Sequence, residues 1–466
     1  MRICGAHLRI SSGTAMPGAC ARRRGSSMAD ARSWQRFLWL WAAEMLSITG
    51  TGLTAFALGA WVYAETGRAT DFALLSVAAT LPGILLLPLG GVLADVLPRK
   101  AVMTWCNGVA GVCAAWLAWL VYSDSLTLIA IYLLLAISAL CRALQWVTFT
   151  ATMTQMVPAH HLGRSSAMIY AGEAGQHLLA PALAALALPF IGYAGVIGLD
   201  LTTFLFAVIV IAAVPIPATP PGDWRRAGEV LSSLRAVVSE GWGFIRERPG
   251  LLYLQIFFAL SQFLGGFLPI LTLPALVELT GSEQVTGLTM AAAGTGLVLG
   301  MVWLVARPRM SGRVWATVFC DMAASAALLA LAFGATRFGA PWFAAAGCAF
   351  LFFHALESGI SQDLWQRKVP GRLQGRVFAI RRTIAWSLVP LCYVLAGPLV
   401  DDWLAPAMAE GAPLGQIFGP LLGYESLGAM LLLMGAAAAL RLFGLAPAAL
   451  LTRRLMRIEE ELVDYV

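Results

Sequence analysis

Charged residues are scarce in this chain. Asp, Glu, Lys and Arg make up 12% of its 466 residues, against 59% hydrophobic, and a soluble domain carries about twice that share of charge. Too few solvated groups remain to cover a water-facing surface, so a soluble globular protein is excluded. Histidine is rarer still, and its one adjacent pair, His160 and His161, has no acid at metal-ligand spacing and reads as a solvated loop. A membrane enzyme, for instance a lipid-modifying one, needs a nucleophile, a metal cluster or paired acids at the interface; no such set stands out. The eight cysteines include no CxxC or metal-like spacing, and Cys106, Cys113, Cys141, Cys320, Cys348 and Cys392 lie inside apolar runs as packing residues. A GxxxxGK(S/T) phosphate loop is missing, as is room for an ATPase domain, so nucleotide hydrolysis does not drive the protein. Nothing resembles a ring-forming ion filter, which argues against a channel. The first ~33 residues lack the apolar stretch of a signal peptide. They read as a disordered basic tail, with Met28 as an alternative start.

Long apolar runs fill the rest. A helix needs ~20 apolar residues to cross ~30 Å of hydrocarbon. Twelve spans are expected, at 37–64, 72–94, 101–122, 126–156, 165–188, 193–214, 250–276, 285–305, 314–334, 341–364, 377–400 and 421–446. The net charge of +6 follows topology and does not mark a nucleic-acid surface. Basic residues from Arg99 and Lys100 through Arg164, Arg225, Arg248, Arg313, Lys368 and Arg376 to Arg457 share the compartment of the N-terminal tail. The alternate connectors hold mainly Arg68 and Arg337 with acids such as Glu65, Asp71, Glu278, Glu283, Asp401 and Asp402. The positive-inside rule then places both termini in the cytoplasm, and the protein in the plasma membrane.

The segments divide six and six. Residues 1–35 form the tail, 36–214 the first bundle, 215–249 a cytoplasmic linker, 250–447 the second bundle and 448–466 a cytoplasmic C-terminal tail. The linker opens on Pro215, Pro217, Pro220 and Pro221, which cannot continue a helix. Val230, Leu231, Leu234, Val238 and Ile245 then recur at helical spacing, as in an amphipathic helix lying on the membrane surface. Val157-Pro158 with Gly163-Arg164 reappears as Val369-Pro370 with Gly375-Arg376, each between the fourth and fifth spans of its half. This points to a duplicated six-helix unit of parallel orientation, a plan found among transporters.

Ionisable groups in mid-membrane cost several kcal/mol and normally face a protein interior or a wet cavity. Here they form stripes at steps of three and four residues: Glu44, Ser47, Thr51 and Thr54; Ser138, Arg142, Gln145 and Thr152; Ser166, Tyr170, Glu173 and His177; His354, Glu357, Ser358 and Ser361. Each set falls on one helix face, so these four helices are expected to line a polar cavity. Glu44, Glu173 and Arg142 lie at similar depth. Arg142 neutralises either Glu44 or Glu173, and a desolvated carboxylate there can load and release a proton, with His177 extending the relay. The alternative is that these groups only hold helices together. Asp200, Asp321 and Arg441 stand on spans without a polar stripe and read as structural.

Gly91-Val92-Leu93-Ala94-Asp95-Val96-Leu97-Pro98-Arg99-Lys100 resembles the loop G-x-L-a-D-r-x-G-r-k of the major facilitator superfamily, with Val96 for the usual basic residue and Pro98 for the second glycine. Asp95 sits at a helix C-terminus, where the macrodipole disfavours an anion, so Arg99, Lys100 or a neighbouring helix N-terminus must hold it. The resemblance implies that Gly91, Asp95, Arg99 and Lys100 form a cytoplasmic latch. Arg142-Ala143-Leu144-Gln145 is similar to the family's R-x-x-Q-G, with Trp146 for glycine, and Ala180-Pro181 with Ala184-Ala185 resembles a weakened antiporter motif, G-P-x-x-G-G. Gly198–Phe204, Glu240-Gly241 with Arg248-Pro249, Leu373–Phe378 and Gly397–Asp401 look like the branch that holds enterobactin exporters and macrolide efflux proteins.

The expectation is therefore an all-α membrane protein with twelve transmembrane helices in two pseudo-symmetric six-helix bundles, the major facilitator fold. The resemblance implies a monomeric secondary transporter, not an enzyme, that exports an amphipathic small molecule such as a siderophore, a macrolide-like drug or a peptide-synthetase product by proton antiport. No cofactor is implied beyond the proton gradient. The candidates for proton coupling or substrate binding are Glu44, Arg142, Gln145, Glu173, His177, His354 and Glu357. An uptake carrier and an uncoupled facilitator are the alternative readings.

Overall fold

A computed structural model of the chain describes residues 17–157, 161–216, 239–306, 312–462 and 464. Twelve membrane-crossing segments lie among them. They are α1 (Pro17–Thr66), α2 (Ala69–Val96), α3 (Arg99–Tyr122) and α4 (Leu128–Met156), then Leu162–Ala213, folded at Gly192 into α5 (162–191) and α6 (193–213). The second half has α7 (Pro249–Gly265 continued by Phe267–Thr280) and α8 (Glu283–Ala306), then Arg313–Lys368, folded at Gly339 into α9 (313–338) and α10 (340–368). It ends with α11 (Gly371–Pro398, running into a π turn at Leu399–Leu404) and α12 (Glu425–Ala439, through a π turn at Leu440–Leu445 to Ala446–Leu451). Helix is dictated by the solvent: in hydrocarbon every backbone N–H and C=O must be paired within the segment. Glycine marks the reversals, because Gly67, Gly192, Gly281 and Gly339 adopt φ between +62° and +69°, a region closed to most side chains.

Two details depart from the expected boundaries. Helix α1 begins at Pro17 inside the segment read as a disordered tail; its alanines, arginines and Met28 are all good helix formers. The amphipathic linker helix falls mostly outside the described residues. Its end, 239–246, is helical, and Phe244 and Ile245 are buried among the side chains of α7, α9 and α11. The repeated Val-Pro step is used alike in both halves. Val157 and Val369 end α4 and α10 in extended backbone, the conformation imposed on a residue before proline, and both are buried.

The outward faces carry large apolar side chains such as Trp105, Ile129, Phe190 and Val305, all more than two-thirds exposed. An apolar surface this continuous belongs against lipid. Inside, an apolar cluster joins the halves near the end away from the termini: Phe56, Tyr63 and Phe72 of the first meet Phe267, Leu271 and Leu273 of the second. Gly287 of α8 lies so close to α5 that a Cβ on it would come 2.5 Å from the Pro181 carbonyl oxygen, and one on Gly397 would come 2.4 Å from the Thr70 Cα.

Polar contacts close the same distal end. Helix α2 has no side-chain cap of its own, since Arg68 precedes it, and the first N–H groups of a helix need an acceptor. Asp401, in the π turn after α11, supplies it, accepting from the Ala69 N–H at 3.1 Å and the Thr70 N–H at 2.7 Å. An anion there also complements the helix dipole. Arg68 pairs with Asp401 and Asp402, Tyr63 donates to Glu278 at 2.8 Å, and Tyr193 donates to Glu283.

This closure is expected to yield to two substitutions. Asp401→Ala leaves two helix N–H groups without an acceptor, at a cost of about 1 kcal/mol, and Gly287→Leu drives a side chain into α5, at a cost of about 1–3 kcal/mol. With Ile270→Cys as reporter in a chain whose native cysteines are serine, both should speed labelling by an impermeant maleimide added on the distal side. Unchanged rates in both variants would show that these contacts do not hold the end shut.

Candidate functional site

Helices α1, α4 and α6 carry most of the polar side chains of a central cavity of about 380 Å³, with Ser76 and Thr80 from α2 and Gln176 from α5; the volume is within the range of small-molecule sites. Its two faces differ. The first half contributes Glu44, Ser47, Thr51, Thr54, Arg142, Gln145 and Asp200, whereas the second contributes Pro269, Ile270, Leu273, Met290 and Tyr393. Glu44 is 5% exposed and accepts a hydrogen bond from the Gln145 amide at 2.7 Å. The Asp200 carboxylate accepts from the Thr54 hydroxyl at 2.7 Å. Gly50 makes that contact reachable: a Cβ on it would lie 2.4 Å from the Thr203 hydroxyl and 2.7 Å from Asp200. Arg142, in mid-helix between these levels, is exposed to the cavity and donates to the Ala79 carbonyl at 3.3 Å.

Of the two pairings expected of Arg142, the one with Glu44 is not seen: Gln145, not Arg142, meets Glu44, and Asp200 is an acid whose charge acts on Arg142. The pairing with Glu173 falls on a side chain outside the described residues. Asp200, read as structural, is thus part of the cavity wall; its one local signal is Thr203 at i+3, whose hydroxyl donates back to the Asp200 carbonyl at 2.7 Å. The side chains of Glu173 and His177 lie outside the described residues. So do those of Gly91 and Asp95 in the latch loop. Arg99 donates to the Ala151 carbonyl at 2.9 Å and Lys100 to that of Ala212 at 2.7 Å, which ties the start of α3 to α4 and α6.

The second half holds its charges in a sealed cluster. Asp321 on α9, Glu357 on α10 and Arg441 in the π turn of α12 are each at most 1% exposed. The Arg441 guanidinium donates to Asp321 and to the Ser261 hydroxyl at 2.8 Å, and lies 3.8 Å from Glu357. His354 is 3.5 Å from Glu357, so the structure brings together the two candidates on α10. Asp321 and Arg441 complete a network in which the sequence placed only Glu357. Asp321 does have a stripe, Thr317 and Ser325 at steps of four, all buried. The offset of 212 residues from Val157 to Val369 also relates Arg142 to His354 and Gln145 to Glu357. A permanent cation and an amide in one half stand where a titratable pair stands in the other.

The family model of the Major Facilitator Superfamily matches residues 40–391. Macrolide efflux protein A of Streptococcus pyogenes is 21% identical over 379 residues, which cover 79% of this chain and 90% of that protein. The nucleoside transporter NupG is similar in structure, with a TM-score of 0.62 and 14% identity over 88% of this chain and 98% of that one. A bacterial homologue of the iron transporter ferroportin, in an inward-facing state, has a TM-score of 0.63 and 16% identity over 89% and 98%. At such identities the structures speak for the fold, and the sequence match over most of the length speaks for descent. The chain belongs to the major facilitator superfamily and is a multi-pass membrane transporter, not an enzyme.

Proposed function

We propose that the protein exports an amphipathic small molecule bearing a cationic amine, by proton antiport with alternating access, as a monomer in the plasma membrane with both termini in the cytoplasm. The observation that carries this reading is the two-faced cavity. An apolar wall from α7 and α8 faces a polar wall whose ionisable groups, among the described residues, are two carboxyls and one guanidinium, Glu44, Asp200 and Arg142. With both acids ionised, one negative charge among these groups is left over. A buried charge without a partner is costly, so the cavity favours either a proton or a cationic ligand, and competition between the two for one carboxylate is the elementary act of antiport. Glu44, with Gln145 as its hydrogen-bond partner, is the group assigned to that exchange, and Glu173 and His177 on α5 are the further candidates.

Orientation supports export. The basic connectors share the side of the termini, and the positive-inside rule supports an outer position for the closed distal end. The described state is then one that loads from the cytoplasm, in keeping with the efflux activity in the name of the streptococcal relative. In the opposite state Asp95, at the C-terminal end of α2, would cap the start of α11 at Gly371, just as Asp401 after α11 caps the start of α2. The latch of Gly91, Asp95, Arg99 and Lys100 and the distal cap are then alternating ends of one antiparallel helix pair.

The test uses inverted membrane vesicles with an acidic interior and radiolabelled erythromycin, a cationic amphipath of the class named by the relative. Gradient-dependent accumulation is expected. Glu44→Gln should reduce it at least about tenfold, the loss of ~1.4 kcal/mol of charge-assisted contact, and Gln145→Leu by a smaller factor. Accumulation indifferent to the gradient would mark an uncoupled facilitator, and release in place of accumulation an uptake carrier. A Glu44→Gln protein that transports like the parent would remove Glu44 from the mechanism.

A further inference from the structure

The sealed cluster of the second half does not line the cavity, and its charges do not balance. Asp321 and Glu357 bring two negative charges to one Arg441, in an interior where the three side chains are 0–1% exposed. One oxygen of each acid, Oδ2 of Asp321 and Oε2 of Glu357, is buried without a hydrogen-bond partner, as are Nδ1 of His354 and Nε and Nη1 of Arg441. A carboxylate oxygen left bare in a medium of low dielectric is strongly disfavoured. One added positive charge restores neutrality. A metal ion is not the natural candidate, because Arg441 occupies the space between the acids, with Nη2 touching Asp321 and 3.8 Å from Glu357.

We propose that Glu357 and His354, clamped by Asp321 and Arg441, share one exchangeable proton, and that this pair is a proton site of the transporter separate from the substrate cavity. His354 Nδ1 lies 3.5 Å from Glu357 Oε2, and while Glu357 is sealed, the histidine side chain is 26% exposed. The imidazole, stacked on Phe350, therefore connects the buried acid to the outside of the cluster, and the proton moves between an oxygen and a nitrogen already facing each other. Surrounding charges do not supply the missing cation. Cys320 on α9 is the other titratable neighbour of the two acids. Arg381 on α11 is engaged one turn away, donating to the Ser361 hydroxyl at 3.1 Å and to the Gln362 side-chain Oε1 at 2.7 Å. Helix α8 carries Glu283 as its one charged residue, at its distal start, and α7 has none between Arg248 and Glu278.

The cluster is also wired to the cavity. Ser261, which donates to Asp321 and accepts from Arg441, lies about one turn before the break in α7 at Gly266. A Cβ on Gly265 would come 3.0 Å from the Arg441 guanidinium. Beyond the break, Pro269, Ile270 and Leu273 form the apolar cavity wall, and Glu278 binds Tyr63 of the first half. A change of charge at the cluster thus acts on the joint of the helix that both lines the cavity and closes its distal end.

The proposal rests on the transport reading for its purpose, but its test needs no substrate. Full-length protein in lipid nanodiscs would be followed by infrared difference spectroscopy and thermal unfolding between mildly acidic and alkaline pH. Wild type should show a protonated-carboxyl or imidazolium signal that Glu357→Gln abolishes, that isotope-labelled glutamate shifts and that Glu44→Gln leaves in place. His354→Gln should confine it to the carboxyl region. Because Glu357→Gln leaves the neutral Asp321–Arg441 pair intact, it should unfold at a temperature close to wild type in acid and above it in alkali, whereas Arg441→Met should be less stable throughout. The proposal would be overturned by a pH difference spectrum the same in Glu357→Gln as in wild type, or by an isotope label that shifts nothing. Destabilisation by Glu357→Gln equal to that of Arg441→Met would also overturn it, by making Glu357 a permanent counter-ion. Should Glu357→Gln fail to fold, Glu357→Asp in glutamate-labelled protein decides, because it removes that one carboxyl from the labelled set: the label-sensitive signal should be lost, and its persistence unchanged would overturn the proposal. Failed erythromycin export with a positive spectrum would refute the substrate reading and leave the proton site standing.

Discussion

An ionised group inside a bilayer must have a partner, and much of this molecule is arranged around that requirement. Lipid solvates neither backbone nor charge, so the twelve segments are helices and their charged side chains turn inward. Each half sets two buried acids near one arginine: Glu44 and Asp200 with the cavity-exposed Arg142 in the first, Asp321 and Glu357 with the buried Arg441 in the second. The halves solve the same imbalance differently. In the first the set is spread along a cavity wall with Arg142 exposed to the space. In the second it is collapsed into one contact network, with Arg441 at its centre. One arrangement is open to a ligand, the other only to something as small as a proton.

The distal seal obeys the same rule on the backbone. Helix α2 begins with N–H groups that its own sequence does not cap, and the acceptor comes from the other half. A cap supplied in this way is satisfied only when the halves are together at that end. When they separate, water can take its place, so the cost of opening is small. Gly287 and Gly397 set the closeness of approach on either side of it. Tight backbone packing with a replaceable polar cap suits an interface that must form and break in every cycle.

Much of this is legible in the residues. Apolar length and the alternation of basic connectors mark the twelve segments, and polar residues at steps of three and four pick out Glu44, Gln145, Arg142, His354 and Glu357, which the structure places in two inner sites. Partners are harder to read. Depth alone assigns Arg142 to Glu44 or Glu173, yet depth does not say which of two residues one turn apart faces a neighbour, and Gln145 takes that contact. Asp200 escapes notice because its partner, Thr54, lies on another helix, and periodicity within one span carries no information about the next.

The remaining misses share a cause. Arg441 and Asp401 each sit in a π turn, Leu440–Leu445 and Leu399–Leu404. A π turn inserts one residue into an α-helix and rotates the downstream part of that helix by about 100°, so a search at a period of 3.6 residues misplaces the face. Both residues are charges delivered across an interface, Arg441 to the acids on α9 and α10 and Asp401 to the start of α2. Such bulges are held at a cost in hydrogen-bond geometry and are found mostly where function requires them. The same irregularity that hides these residues from a periodic reading therefore marks them: in both π turns among the described residues, the backbone leaves the α period where one helix presents a charge to another.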